Sequence, residues 1–243
     1  MKILSINCNK FGGIERNGKG EIFCEQIMRN FVLLAKFLLD LDENNLVIFH
    51  EVNYRKEYYR KFKIMFCEND YIIHKPTNLD KIKPYGCTLA ITKNNTYWNK
   101  MDSLRFQKSN DYANKSVILT YSDFIVVGVH VPYDTNYWDL ILKYFKDKKD
   151  EKIIIIGDMN TYDEGTDRKE QFNKLASCGA IDAWVEKGGK TDKETCNSNK
   201  RIDYALMSKV AYSELKSIKI IDSIRNDNIS DHSGIFIDIN EED

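Results

Sequence analysis

The stretch that constrains this chain most is Ile153-Ile154-Ile155-Ile156-Gly157-Asp158-Met159-Asn160-Thr161. Four consecutive β-branched residues favour an extended backbone, and an apolar run this short, ended by glycine, reads as a strand buried on both faces. Such a strand holds its C-terminal residues rigidly. Asp158 and Asn160, two apart, then project from one edge of the sheet towards the same space. Two readings of the pair stand at this point: an Asx turn closing a strand, or polar groups held in place for chemistry.

The same pattern recurs along the chain. Lys2 to Ile6 is a short apolar strand delivering Asn7, with Gly12-Gly13 beyond it, and Leu46 to Phe49 is a buried strand ended by His50-Glu51-Val52. Phe124 to Val131 carries His130 near its end and forms the second arm of a hairpin turning at Ser122-Asp123. Arg201-Ile202-Asp203-Tyr204-Ala205-Leu206 alternates in strand fashion, and the corner Ser230-Asp231-His232 leads into a terminal strand. Further strands are expected at Lys63 to Phe66, Tyr71 to His74, Cys87 to Thr92 and Ser116 to Tyr121. Apolar residues stepping by three and four predict a helix over Glu21 to Glu43 (Phe23, Ile27, Phe31, Leu34, Leu38, Leu41) and another around Tyr137, Trp138, Ile141, Leu142 and Phe145. The latter is closed by a charged, solvated run from Lys146 to Lys152. Helices are also expected at Asn53 to Phe62 and Asp167 to Ser177, and polar loops at Asn78 to Tyr85, Thr96 to Asn114 and Gly188 to Lys200. Strands in excess over helices predict an α/β chain of two stacked sheets with helices outside.

Composition narrows the class further. With 243 residues, 42% of them hydrophobic, three prolines and no linker-like tract, the chain reads as a single domain over 1–243. Its 36 basic and 37 acidic residues nearly cancel, which argues against a tight, non-specific nucleic-acid coat while leaving a local basic patch open. The six cysteines are scattered, with no pair or Cys/His cluster at zinc spacing. The apolar start is too short for a signal peptide and no run approaches the ~18 residues of a membrane span, so a soluble, cytoplasmic protein is expected.

Strand ends and corners therefore present Asn7, Glu51, His130, Asp158 with Asn160, Asp203, and Asp231 with His232. If these converge, they combine hard oxygen ligands, carboxamides and imidazoles without a thiol. Hard oxygen donors favour Mg²⁺, with Mn²⁺ as the alternative, over zinc. Imidazoles and amides around such an ion suit a phosphate ester, whose displacement needs charge neutralisation and an aligned nucleophile.

The segments Ser5-Ile6-Asn7, His50-Glu51-Val52, His130-Val131-Pro132, Gly157-Asp158-Met159-Asn160, Arg201-Ile202-Asp203-Tyr204 and Ser230-Asp231-His232 together resemble the endonuclease/exonuclease/phosphatase superfamily, in the family's order and over nearly the whole chain. The resemblance implies a four-layer sandwich, two mixed β-sheets packed face to face between helices, with the site at one rim. It implies a monomeric, divalent-metal-dependent hydrolase without a stable protein partner. Glu51 would be the principal metal ligand, with Asn7 and Asp231 beside it. Asp158 would orient and activate the attacking water, Asn160 hold a phosphate oxygen, and His232 contact the scissile phosphate with Asp203 fixing its tautomer. His130 would be a second phosphate-contacting or general-acid residue. Arg201 would contact substrate phosphate or form a structural ion pair.

Within the superfamily the motifs divide. The histidine of His130-Val131-Pro132 resembles deoxyribonuclease I, toxin-type DNases and sphingomyelinases. Asn7-Cys8-Asn9 and Arg201-Ile202-Asp203-Tyr204 are closer to the exonuclease III branch. The leading expectation is a Mg²⁺-dependent endonuclease or exonuclease acting on DNA, with RNA as the other polynucleotide. The alternatives are a phosphatase or phosphodiesterase on a nucleotide, phospholipid headgroup or inositol phosphate, and a catalytically silent binding protein using the same cleft.

Overall fold

A computed structural model describes residues 1–13, 23–53, 56–67, 71–76, 86–94, 97–101, 103–104, 112–161 and 164–240. In chain order its strands are β1 (Lys2–Asn7), β2 (Leu46–Val52), β3 (Tyr71–His74), β4 (Cys87–Lys93), β5 (Asn99–Lys100), β6 (Ser116–Tyr121), β7 (Phe124–His130), β8 (Lys152–Asp158), β9 (Ile181–Asp182), β10 (Asp203–Met207), β11 (Leu215–Ile221) and β12 (Gly234–Ile239). The helices are α1 (Glu25–Leu41), α2 (Lys56–Cys67), α3 (Asn136–Lys148), α4 (Asp167–Ser177) and the short α5 (Ala183–Glu186), α6 (Lys209–Ser213) and α7 (Ser223–Asn226).

The strands form two mixed sheets, ordered β11-β12-β1-β2-β4-β3 and β5-β6-β7-β8-β10-β9. Each sheet holds one parallel pair, β1 with β2 and β7 with β8. A parallel pair needs a crossover, and α1 and α3 supply it, so each pair is a strand-helix-strand unit. Parallel neighbours bring their C-terminal ends to the same edge: Asn7 lies opposite His50, and His130 opposite Asp158. Antiparallel β10 runs the other way, so it is its first residue, Asp203, that pairs with Asp158. Three strand termini thus meet at one rim of the second sheet.

Side-chain alternation sorts the core into layers. Ile3, Leu46, Ile48, Val126, Ile154, Ile156, Ala205, Met207 and Ile237 pack between the sheets. Their odd-numbered or even-numbered neighbours point outward: Leu4, Ile6, Val47 and Phe49 meet Phe31, Ala35, Phe62 and Phe66 of α1 and α2. Ile125, Val127, Ile153 and Ile155 meet Trp138, Ile141, Phe145 and Leu175 of α3 and α4. The result is the expected helix-sheet-sheet-helix sandwich, and β8 is buried on both faces as its isoleucines require.

Some expected elements differ. Lys63 to Phe66 is not a strand but the second half of α2, because Phe62 and Phe66, four apart, put both rings on the buried face, where Phe62 packs against Phe11 and Phe49. The helix expected over Glu21 to Glu43 covers Glu25–Leu41, Glu21 lying outside the described residues. The charged run from Lys146 to Lys152 begins in the last turn of α3 and ends at the start of β8, where Lys152 pairs with Asp123 at 3.0 Å. The loop Asn78 to Tyr85 and part of Thr96 to Asn114 lie outside the described residues. Among the described residues, no helix is long and apolar enough to cross a membrane.

Candidate active site

The rim where the strands end gathers most of the expected residues. Asn7 at the end of β1 reaches across the gap between the sheets, its Nδ2 donating to Glu51 Oε1 at 3.2 Å and to Asp158 Oδ2 at 3.0 Å. Its own Oδ1 accepts from the Asn9 backbone N–H at 2.9 Å. Strict alternation would turn Glu51 away from the inward-facing His50. Glu51 instead adopts a left-handed backbone (φ 54°), and the β2–β4 register breaks between Phe49 and Val52. A bulge of this kind re-aims a side chain, and here it brings the carboxylate into the rim. His50 itself stays in the core, between Ser5 Oγ at 2.8 Å and Thr88 Oγ1 at 3.3 Å.

From the second sheet, His130 places Nε2 3.4 Å from Glu51 Oε1 and 3.8 Å from Asp158 Oδ2. Asp158 is almost wholly buried and accepts the Asn160 backbone N–H on Oδ1 at 2.9 Å. Asn160 is left-handed (φ 48°) and pins its side chain by donating from Nδ2 to Val131 O at 2.8 Å. Asp203 holds His232 Nδ1 at 3.0 and 3.3 Å, and His232 Nε2 then lies 4.0 Å from Asp158 Oδ2. The turn bearing His232 is tied to β1: Ser230 Oγ donates to Asn7 O at 2.6 Å and accepts from His232 N at 3.1 Å.

The charge states follow from this packing. Burial and the adjacent Asp203 carboxylate push Asp158 up to about 7 against the pull of His232. Burial opposes the His232 charge, but Asp203, with help from Asp158 and Asp231, raises it to about 11, so the ring is an imidazolium at neutral pH. His130 goes the other way: burial, with the Lys115 and His232 charges, overrides Glu51 and pushes it down to about 3. Burial likewise opposes the Glu51 charge, yet His130, Lys10 and the Asn7 amide hold Glu51 at about 2. Since His130 is neutral at pH 7, the cation facing Glu51 there is Lys10, with Nζ 3.8 Å from Oε2. Two carboxyl groups with such different environments, beside a fixed imidazolium, separate into an anion and a proton acceptor poised near neutrality.

Glu51, His130 and Asp158 each bring a ligand atom within 4.8 Å of the others, and so do Asp158, Asp203 and His232. The second set is occupied by its own ion pair. The first fits a divalent cation: two carboxylates face one another across a single amide, a concentration of hard oxygen donors that favours positive charge between them. Asn7 adjoins this set. Asp231, expected as a third ligand, is not part of it. It is half-buried beside His232, with Oδ1 4.0 Å from Nε2, and lines a separate hollow of about 150 Å³ with Asn9 and Asn197.

Arg201 is not in the cluster. Its guanidinium forms a bidentate pair with Asp182, at 2.7 and 2.6 Å, and lies 4.4 Å from the Tyr204 ring centroid. The expected phosphate contact gives way to the structural ion pair. Conversely, Lys10 and Lys115 were not singled out in the sequence, yet they line a hollow of about 320 Å³ with Glu51, His130 and Asn160. Lys115 Nζ reaches Gly86 O at 3.0 Å and His130 Nδ1 at 3.5 Å. Each lysine flanks a strand end without belonging to any apolar period, so no local pattern marks either.

An AP endonuclease from Archaeoglobus fulgidus superposes on this chain with a TM-score of 0.73 at 13% identity, covering 99% of this chain and 100% of that one. The chain has the endonuclease/exonuclease/phosphatase fold. The 3′ phosphatase NExo from Neisseria, bound to a product DNA hairpin, shares this fold with a TM-score of 0.71 at 14% identity, covering 99% and 100% of the two chains. An endonuclease/exonuclease/phosphatase family protein from Leptotrichia buccalis shares it with a TM-score of 0.58 at 18% identity and the same coverage. No protein-family model and no curated protein matches the sequence. The similarity lies in the endonuclease/exonuclease/phosphatase architecture.

Proposed function

We propose that this chain is a divalent-metal-dependent hydrolase of phosphodiester bonds that acts on DNA as an endonuclease or exonuclease. The observation that carries the reading is Asp158, a buried carboxylate set between Asn7, Asn160 and the Asp203–His232 pair. Asp158 takes the proton of the attacking water, the task for which a pKa near the working pH is best suited. His232, charged and held by Asp203, donates from Nε2 to a phosphate oxygen as negative charge builds there. His130, neutral at pH 7, serves as a phosphate contact rather than a general acid. Asn160 contributes the second N–H of its amide to the same phosphate. Glu51, with Asn7 beside it, would hold Mg²⁺ or Mn²⁺, which when bound supplies Lewis-acid stabilisation of the phosphate charge. Structural neighbours described as an AP endonuclease and a DNA-bound 3′ phosphatase support a DNA substrate.

A second reading, a phosphatase or phosphodiesterase on a DNA end or a small ester, is favoured by the hollow of about 320 Å³ walled by Lys10 and Lys115. Plasmid, single-stranded DNA, RNA, an abasic oligonucleotide, a 3′-phosphorylated oligonucleotide and inositol phosphates, each with Mg²⁺ or EDTA, separate the two. Turnover of the small esters alone overturns the nuclease assignment. Binding without turnover of any substrate overturns the enzyme reading in favour of a silent binder.

A further inference from the structure

The cleft beside His130 carries a feature that hydrolysis does not use. After β7 the chain passes Val131 and turns through Pro132-Tyr133, and Tyr133 lines the same hollow as His130, Asn160, Lys10 and Lys115. The residue is 70% exposed. Beneath it, Arg168 from the first turn of α4 places its guanidinium 4.5 Å from the ring centroid. A cation against one face fixes an aromatic ring and polarises it, so this surface tyrosine is oriented before any ligand arrives. The cleft thus offers a flat π-surface at its mouth and two ammonium groups along its wall. A nucleotide has the matching parts, a planar base and a phosphate. Within a duplex both faces of a base are covered by its neighbours, so only an unpaired or terminal base can lie on such a ring.

We propose that Tyr133, held by Arg168, is the stacking platform for an unpaired nucleobase adjoining the scissile phosphate, which makes single-stranded or frayed-end DNA the preferred substrate over continuous duplex. This inference rests on the phosphodiesterase reading above. Sequence-tolerant stacking on an aromatic ring is lost on truncation to alanine and kept by another aromatic residue. A merely structural Tyr133–Arg168 contact would alter stability rather than the environment of a base.

The test uses a single-stranded oligonucleotide carrying 2-aminopurine beside the cleavage site, bound in EDTA by the full-length protein and by its Tyr133→Ala and Tyr133→Trp variants. The expected result is quenching on binding, and an affinity ~5- to 150-fold weaker in Tyr133→Ala, as the loss of one stacked base implies. Tyr133→Trp restores both, and annealing the complement abolishes the difference between variants. Equal affinity and equal quenching in Tyr133→Ala overturn the inference, as does tighter binding of the duplex. The phosphodiesterase reading is judged separately on the wild type with Mg²⁺. Tyr133-dependent quenching without cleavage refutes that reading alone, whereas cleavage with Tyr133-independent binding refutes the platform alone. No binding of the oligonucleotide in EDTA refutes the platform, and no cleavage with Mg²⁺ refutes the phosphodiesterase reading.

Discussion

Gly157→Ala should damage both the fold and the site. Gly157 has φ 143°, a region that side chains rarely adopt, and a Cβ there would press into Val129 O and lie 2.7 Å from the His50 ring. The carbonyl belongs to β7 and the ring is buried between Ser5 and Thr88, so neither neighbour can swing aside. Backbone strain of ~1–3 kcal/mol and overpacking of ~1–3 kcal/mol place the loss at roughly 2–6 kcal/mol. For a chain of this size that lowers Tm on the order of 10 °C, readable by differential scanning calorimetry. Relief requires β8 to move relative to β7 and β1, which carries Asp158 away from the Asn7 amide it meets at 3.0 Å. Displacement of that kind costs ~10²-fold in rate even in the folded fraction. A variant within about 1 kcal/mol of the parent in stability, with its activity intact, would refute the reasoning that Gly157 is required by close approach.

Other perturbations probe separate parts of the site and scaffold. Asp203→Asn removes the group that does most to raise His232, so ¹H–¹⁵N NMR titration should show the imidazole falling from about 11 towards its ordinary range; an unchanged value contradicts the pairing. Arg201→Ala leaves half-buried Asp182 without its cationic partner and should cost roughly 1–3 kcal/mol in urea denaturation, whereas a raised KM with unchanged stability would restore Arg201 to the substrate. His74, bonded to Thr92 at 2.9 Å, is pushed by burial and the nearby Lys100 to about 4. Because its folded value lies below the unfolded value of ~6.5, its contribution to stability is complete above that pH and is lost as pH falls through about 4. His74→Gln should therefore flatten acid destabilisation by roughly 3 kcal/mol over this window; parallel pH profiles would contradict it.

The main strands and the residues at their ends were legible because each rests on a local rule. Isoleucine runs form buried strands, polar residues close them, and the α1 and α3 patterns supply crossovers that bring parallel ends together. What the sequence could not convey depends on backbone departures or pairing across the fold. Glu51 enters the rim only through a left-handed residue and a register break. The two-residue β5 and β9 have no period to read. Strand β11 mixes half-exposed and exposed positions along its length, which blunts its alternation. Phe62 and Phe66 look as extended as helical until Phe11 and Phe49 are placed against them. Arg201 sits beside Asp203 in the chain, but its partner Asp182 comes from another strand.

The central claim is that Asp158, flanked by Glu51 and the Asp203–His232 pair, drives hydrolysis of a DNA phosphodiester. The measurement that tests it most directly is the single-turnover cleavage rate of an end-labelled DNA strand near neutral pH, with Mg²⁺ or EDTA, for the wild type and for Asp158→Asn. The account predicts cleavage that stops in EDTA and falls by at least ~10² in the variant while its fold is retained. Cleavage that survives EDTA, or proceeds at the wild-type rate in Asp158→Asn, would contradict it.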